Sequence, residues 1–183
     1  MCGGFLLSGR RVEARPTLRL PHADANGDAM MRIRLWQAID VDQLHRMISE
    51  FLRVGAARGG DVLPSEHNVQ VLLSMGLGFA DLGQPSLVAL DDDTVLGFIE
   101  WGYPPMPFEE RWRTCRTYGS FVLPWERHKL VAQNLRDEAF TICRRDGIER
   151  IIGPVHMTNE RGIREFAEHV GAWAVSVQME VLL

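Results

Sequence analysis

Two apolar runs, Ser86 to Leu90 and Thr94 to Trp101, are joined only by Asp91, Asp92 and Asp93. Strand-forming runs linked by so short a polar turn fold back on one another, so the middle of the chain is predicted to be an antiparallel hairpin. A further strand is expected at Cys115 to Leu123, stopped by Pro124. The loop before it carries Pro104, Pro105 and Pro107 and must leave the sheet.

Helical patterns flank these strands. Ahead of them, Arg32 to Leu35 reads as a strand with Ile33 and Leu35 inward. Asp40 and Gln43 have capping-box spacing and open a helix with Leu44, Met47, Ile48, Phe51 and Leu52 on one face. A second helix is expected from Pro64 and Ser65, with Val69, Leu72 and Leu73 inward, fraying where Gly76, Gly78 and Gly83 occur. Beyond the strands, Arg127 to Arg145 reads as a long helix with Val131, Leu135, Ala139 and Ile142 buried, closed by Gly147. Arg150 to Val155 is expected to be a short buried strand. Thr158 or Asn159 caps a helix bearing Ile163, Phe166 and Val170, and Ala172 to Leu183 supplies the last strand or two. The order β-α-α-β-β-β-α-β-α-β predicts an α/β fold.

At 183 residues, 46% apolar and 24% charged, the chain suits one soluble domain. A core of that size buries roughly 70% of the unfolded surface and needs no disulfide or structural metal. Residues 1 to 30 carry scattered Gly, Pro, Arg and Asp without an apolar period and read as a disordered tail; Met30 and Met31, just before the patterned region, are alternative translation starts. With 24 acidic against 20 basic side chains, no phosphate-neutralising surface is expected, which argues against a nucleic-acid partner. The odd, widely spaced Cys2, Cys115 and Cys143 suit a reducing compartment, and a cytoplasmic location is expected. No apolar run approaches the length of a membrane helix, and the start lacks the layout of a signal peptide. His22, His45, His67, His128, His156 and His169 never fall at ligand spacing, so no metal site is expected.

Chemistry concentrates between Tyr118 and Ala139, where an apolar strand turns into a helix. The amides and dipole of a helix start attract phosphate, and Arg127, His128 and Lys129 add cations there that suit a pyrophosphate. Many basic strand-to-helix turns bind nothing, so this feature alone does not decide a function.

From Met31 to Leu183 the order and spacing of elements resemble the GNAT superfamily of acyl-CoA-dependent N-acyltransferases. The landmarks are the opening strand leading to Asp40 and Asp42, the hairpin LVALDDDTVLGFIEW, the stretch FVLPWERHKLVA, the strand GIERIIGPV and the helix from Asn159 to Gly171. The resemblance implies a mixed, mostly antiparallel sheet flanked by helices and splayed between strands 4 and 5. It also implies acyl transfer, with acetyl-CoA as cosubstrate and a primary amine of a small molecule or protein as acceptor; the oligomeric state, a homodimer included, stays open. By position, Val122 and Leu123 would meet the pantetheine arm, Arg127, His128, Lys129, Leu130, Val131 and Ala132 the pyrophosphate, and Asn159 the arm again, unless it serves as a helix cap.

Two positions depart from the family pattern. The loop usually runs Gln or Arg, two residues, Gly, one residue, Gly or Ala; here Arg127 and Ala132 match, and Leu130 replaces the glycine. Leu130→Gly is expected to cost about 1 kcal/mol of helix propensity. In a repurposed loop, Leu130 would instead pack on Val122 or Trp125. Where family members often carry a Tyr that protonates the leaving thiolate, this chain has Ala167, leaving Tyr118 and His169 as substitutes. Glu100, late in the hairpin, is the candidate base, against an ordinary strand-end carboxylate. The rival class is a GNAT-fold binding or structural protein that has lost catalysis. The tetrapeptide GLGF at Gly76 to Phe79 resembles the carboxylate-binding loop of PDZ domains, but its surroundings do not, and chance is the better explanation.

Overall fold

The computed structural model describes residues 31–58, 60, 62–103, 113–124 and 130–153. Five strands form one sheet in chain order: β1 (Arg32–Leu35), β2 (Ser86–Asp91), β3 (Thr94–Gly102), β4 (Thr114–Val122) and β5 (Arg150–Ile152). The first three pairings are antiparallel and the last is parallel. The hairpin forms as its pattern predicts, with Asp92 taking the positive φ of the turn.

Helices α1 (Val41–Ala57) and α2 (Glu66–Asp81) cover one face, and α3 (Val131–Arg145) covers the other. Period-two alternation sorts the strands between them. Val88, Phe98 and Phe121 pack with Leu44, Ile48, Val69 and Leu73, whereas Leu87, Ile99 and Trp101 pack with Val131, Leu135 and Ala139. On the α3 face, Cys115 and Cys143 are free, buried thiols of one core cluster; Cys115 donates to the Arg116 carbonyl and Cys143 accepts from the Tyr103 hydroxyl.

Four local expectations are corrected. Asp40 sits at the start of α1 but makes no side-chain cap. Its carboxylate is taken by Arg34 in two 2.7 Å bonds and by the Gln37 amide, while Gln43 bonds the hairpin at the Asp93 carbonyl and the Val95 amide. Helix α2, capped by Ser65 as expected, runs through Gly76 and Gly78 instead of fraying. Gly76 is there for space: a Cβ would lie 2.1 Å from the Trp36 ring, so only glycine lets the helix meet it. GLGF is thus helix packing. Helix α3 begins at Val131, later than the period suggested, because Leu130 breaks the helical backbone, and β5 is half-buried because it ends the described sheet. The expectations for residues 1 to 30, the proline loop and the elements from Thr158 onward lie outside the described residues.

Candidate active site

Three features of the fold converge along β4. The first is its outer edge. Strand β5 pairs only with Thr114, Cys115 and Arg116, while β4 continues to Val122, so among the described residues the ladder stops partway. The parallel pairing of β4 with β5 is the one the expected fold requires; the continuation of β5 expected to Val155 lies outside the described residues.

The second is a bulge. Glu100 on β3 lies opposite Gly119, and Trp101 lies opposite Thr117, which leaves Tyr118 as the extra residue of β4. An extra residue kinks a strand and re-aims its side chains. Tyr118 consequently stands on the α1/α2 side, its ring stacked on Phe79 of α2 with centroids 5.5 Å apart.

Glu100 occupies the same side of the sheet. It is 0% exposed, and among the described residues neither carboxyl oxygen has a hydrogen-bond partner. Burial pushes its pKa from the usual 4.5 to about 8. It is therefore not the ordinary strand-end carboxylate weighed against a base. Burial also raises the Tyr118 phenol, with the Glu100 charge adding to the rise and Arg116 opposing it. A phenol held above its ordinary range keeps its proton and remains a donor.

The third feature is the start of α3, beside the far end of β4. Gly97 fixes that proximity: a Cβ there would meet the Phe121 carbonyl and Val122 Cγ2 at 3.0 Å and Val131 Cγ1 at 3.2 Å. Val131 is buried, Ala132 is exposed in the first turn, and Leu123 leaves the strand with its amide bonded to the Leu96 carbonyl. The helix has no side-chain cap and no acidic residue in its first turn. Its first internal bond runs from the Asn134 amide to the Leu130 carbonyl, so among the described residues the amides between have no acceptor.

Leu130 itself has φ +57° and ψ +15°, a left-handed conformation that ordinarily belongs to glycine. The backbone has the shape for which a glycine would be chosen, although the residue is leucine. Its side chain is 62% exposed, which overturns packing on Val122 or Trp125 as its reason for being there. Lying outside the helix, it also removes the expected propensity cost of a glycine at this position.

The structure thus places Val122, Leu123, Leu130, Val131 and Ala132 at one end of β4 and Glu100 with Tyr118 farther back along it. Arg127, His128, Lys129 and Asn159 lie outside the described residues. Sequence reasoning missed Phe79, whose only signal was the GLGF motif set aside as chance, and missed Gly97 and Gly119, which looked like unremarkable strand residues. Among the described residues, no group of three His, Cys, Asp or Glu side chains is placed to hold a metal, and no helix is long and apolar enough to cross a membrane.

The arrangement of strands and helices as a whole matches that of solved acetyltransferases. The aminoglycoside N-acetyltransferase AAC(6')-Iy, bound to the bisubstrate analogue CoA-S-monomethyl-acetylneamine, is 14% identical over 84% of this chain and 97% of its own, at a TM-score of 0.61. The chain has the GNAT fold. A ribosomal-protein-alanine N-acetyltransferase from Brucella melitensis biovar Abortus 2308 shares it at 16% identity, with 84% and 99% coverage and a TM-score of 0.59. So does a transcriptional regulator from Bacillus halodurans C-125, at 15% identity, 84% and 99% coverage and a TM-score of 0.61. No family model matches the sequence, and neither does any curated protein. At these identities the GNAT fold is what the likeness establishes.

Proposed function

We propose that the protein transfers an acyl group, acetyl by preference, from acyl-CoA to a primary amine. The observation that carries this reading is the uncapped start of α3, held left-handed at Leu130 beside the end of β4. A helix start with unspent amides and no acid suits a pyrophosphate, and Arg127, His128 and Lys129 immediately precede it in sequence. From there the strand edge past Arg116 offers backbone to an extended arm, whose thioester would come to lie near the bulge.

There the acceptor, arriving as its ammonium, gives one proton to the Glu100 carboxylate, and the neutral nitrogen then bonds to the thioester carbonyl carbon as the carbon–sulfur bond breaks. The departing thiolate takes a proton from Tyr118, which is restored by the second proton released from nitrogen. With a pKa of about 8 the carboxyl is mostly protonated at neutral pH and becomes a proton acceptor as the pH rises toward and past that value. Tyr118 stands in for the family tyrosine that Ala167 replaces. Most of the acceleration in such an aminolysis is positional, so the machinery required is small. Retention of the left-handed backbone at Leu130 supports a working loop over a fold that has lost its ligand.

The test is thermal unfolding with millimolar acetyl-CoA, alongside thiol release in the presence of amines. Binding well above the dissociation constant stabilises by about 2 to 4 kcal/mol, and Arg127→Ala is expected to lower CoA affinity by about 1 to 3 kcal/mol. An unchanged melting temperature overturns the reading, and a shift without thiol release from any amine favours the non-catalytic rival.

A further inference from the structure

The surroundings of Glu100 bear on which amine fits. Gly119 and Ser86 lie opposite it on the neighbouring strands, and Phe98 and Gly102 precede and follow it on the same face of β3. The Ser86 hydroxyl is already spent on the Trp101 carbonyl. Phe79 lies across Gly102, where a Cβ would come within 2.6 Å of its ring, and stacks on Tyr118 at an interplanar angle of 25°. Both rings are partly exposed, so they present an aromatic surface beside the buried carboxyl. Burial raises the Glu100 pKa, and among the described residues no second carboxylate lies beside it on β2, β3 or β4.

Resting on the acyltransferase reading, we infer that the acceptor is a primary amine with a single positive charge on an aromatic or flat apolar body, its ring against the Phe79 and Tyr118 stack and its nitrogen at Glu100. One carboxylate neutralises one ammonium. A polycationic acceptor would bring further ammonium groups against ring faces and glycine backbone, where unpaired charge is heavily penalised. A flat apolar body gains contact with the stack, and a short alkyl chain gains little.

The experiment measures thiol release from acetyl-CoA by the full-length chain with three probes: 2-phenylethylamine, propylamine and the polyamine sugar neamine. We expect kcat/KM for 2-phenylethylamine to exceed both others by about tenfold or more. Phe79→Ala is expected to reduce that preference to less than about threefold, chiefly through KM; Phe79→Leu, which fills the space without a ring, does the same if the alanine variant fails to fold. Neamine equal or superior to 2-phenylethylamine, no discrimination among the three, no turnover of any of them by a chain that binds acetyl-CoA, or a preference untouched by Phe79→Leu overturns the inference. Absence of a thermal shift with acetyl-CoA is a different failure, that of the acyltransferase reading itself.

Discussion

Asp40 and Glu100 are both carboxylic acids withdrawn from water, at 2% and 0% exposure, and the protein treats them in opposite ways. Asp40 is held by a bidentate Arg34 and the Gln37 amide, joining the end of β1 to the start of α1. Among the described residues Glu100 has no hydrogen-bond partner, although it sits in the middle of a three-strand ladder. A compensated buried charge fixes geometry, whereas a buried carboxyl without a partner keeps its proton and costs stability once it ionises. The difference separates scaffold from site more sharply than burial does.

The largest effect expected from this contrast is on turnover. Glu100→Gln should lower kcat by about 10²- to 10⁴-fold while the chain still folds, because only proton acceptance is lost. In the parent, thiol release should rise with pH and level off above about 8. A flat profile with full activity in the variant would return Glu100 to the scaffold. Stability carries the same signature with a definite sign. The folded pKa of about 8 stands above the usual 4.5, so between these values the folded state holds the extra proton. Stability attributable to Glu100 is therefore complete below that window and falls as pH rises through it, by at most about 1.4 kcal/mol per pH unit. Denaturant titrations should show this slope in the parent and not in Glu100→Leu.

Asp40→Ala comes next. It should cost about 2 to 4 kcal/mol of stability, somewhat below the figure for a wholly buried pair because Arg34 keeps some contact with water. Acyl transfer per folded molecule should not change, which denaturant melts and active-fraction assays would check together. The smallest effect belongs to Leu130→Gly. Relief of a left-handed leucine is set against the freedom glycine gains when unfolded, so stability should be unchanged or rise by up to about 1 kcal/mol. Because the backbone already has the required shape, CoA affinity should move by less than about threefold. A large loss of either would mean that the exposed side chain itself is used.

The contrast was only partly legible in the sequence. Unbroken apolar runs marked β2 and β3 as strands without saying which residue faces which helix, because both faces are covered, and helical spacing found Leu44, Ile48, Leu135 and Ala139. Glu100 was picked out, but nothing in its local pattern said that it would lack a partner; hydrogen bonding across the sheet depends on residues up to fourteen positions back on β2 and nineteen ahead on β4. Asp40 was read as a cap because Gln43 has capping-box spacing, and tertiary partners took both side chains instead. Phe79 was hidden inside a motif-like string, and its role emerged only once the bulge turned Tyr118 toward it. Leucine at position 130 concealed a glycine-like backbone, since conformation there follows from the turn between β4 and α3 and not from the residue's own preference.

Gly97 has a further effect on how such a protein would be mapped by mutation. The hydrogen in place of a side chain sets the standoff between the centre of the sheet and the first residue of α3. A single methyl there displaces Val131, and with it the amides of the helix start, by a few tenths of an ångström. A scan for lost cosubstrate binding would therefore return position 97 if the proposed site lies at the start of α3, although its role is that of a spacer beneath that helix.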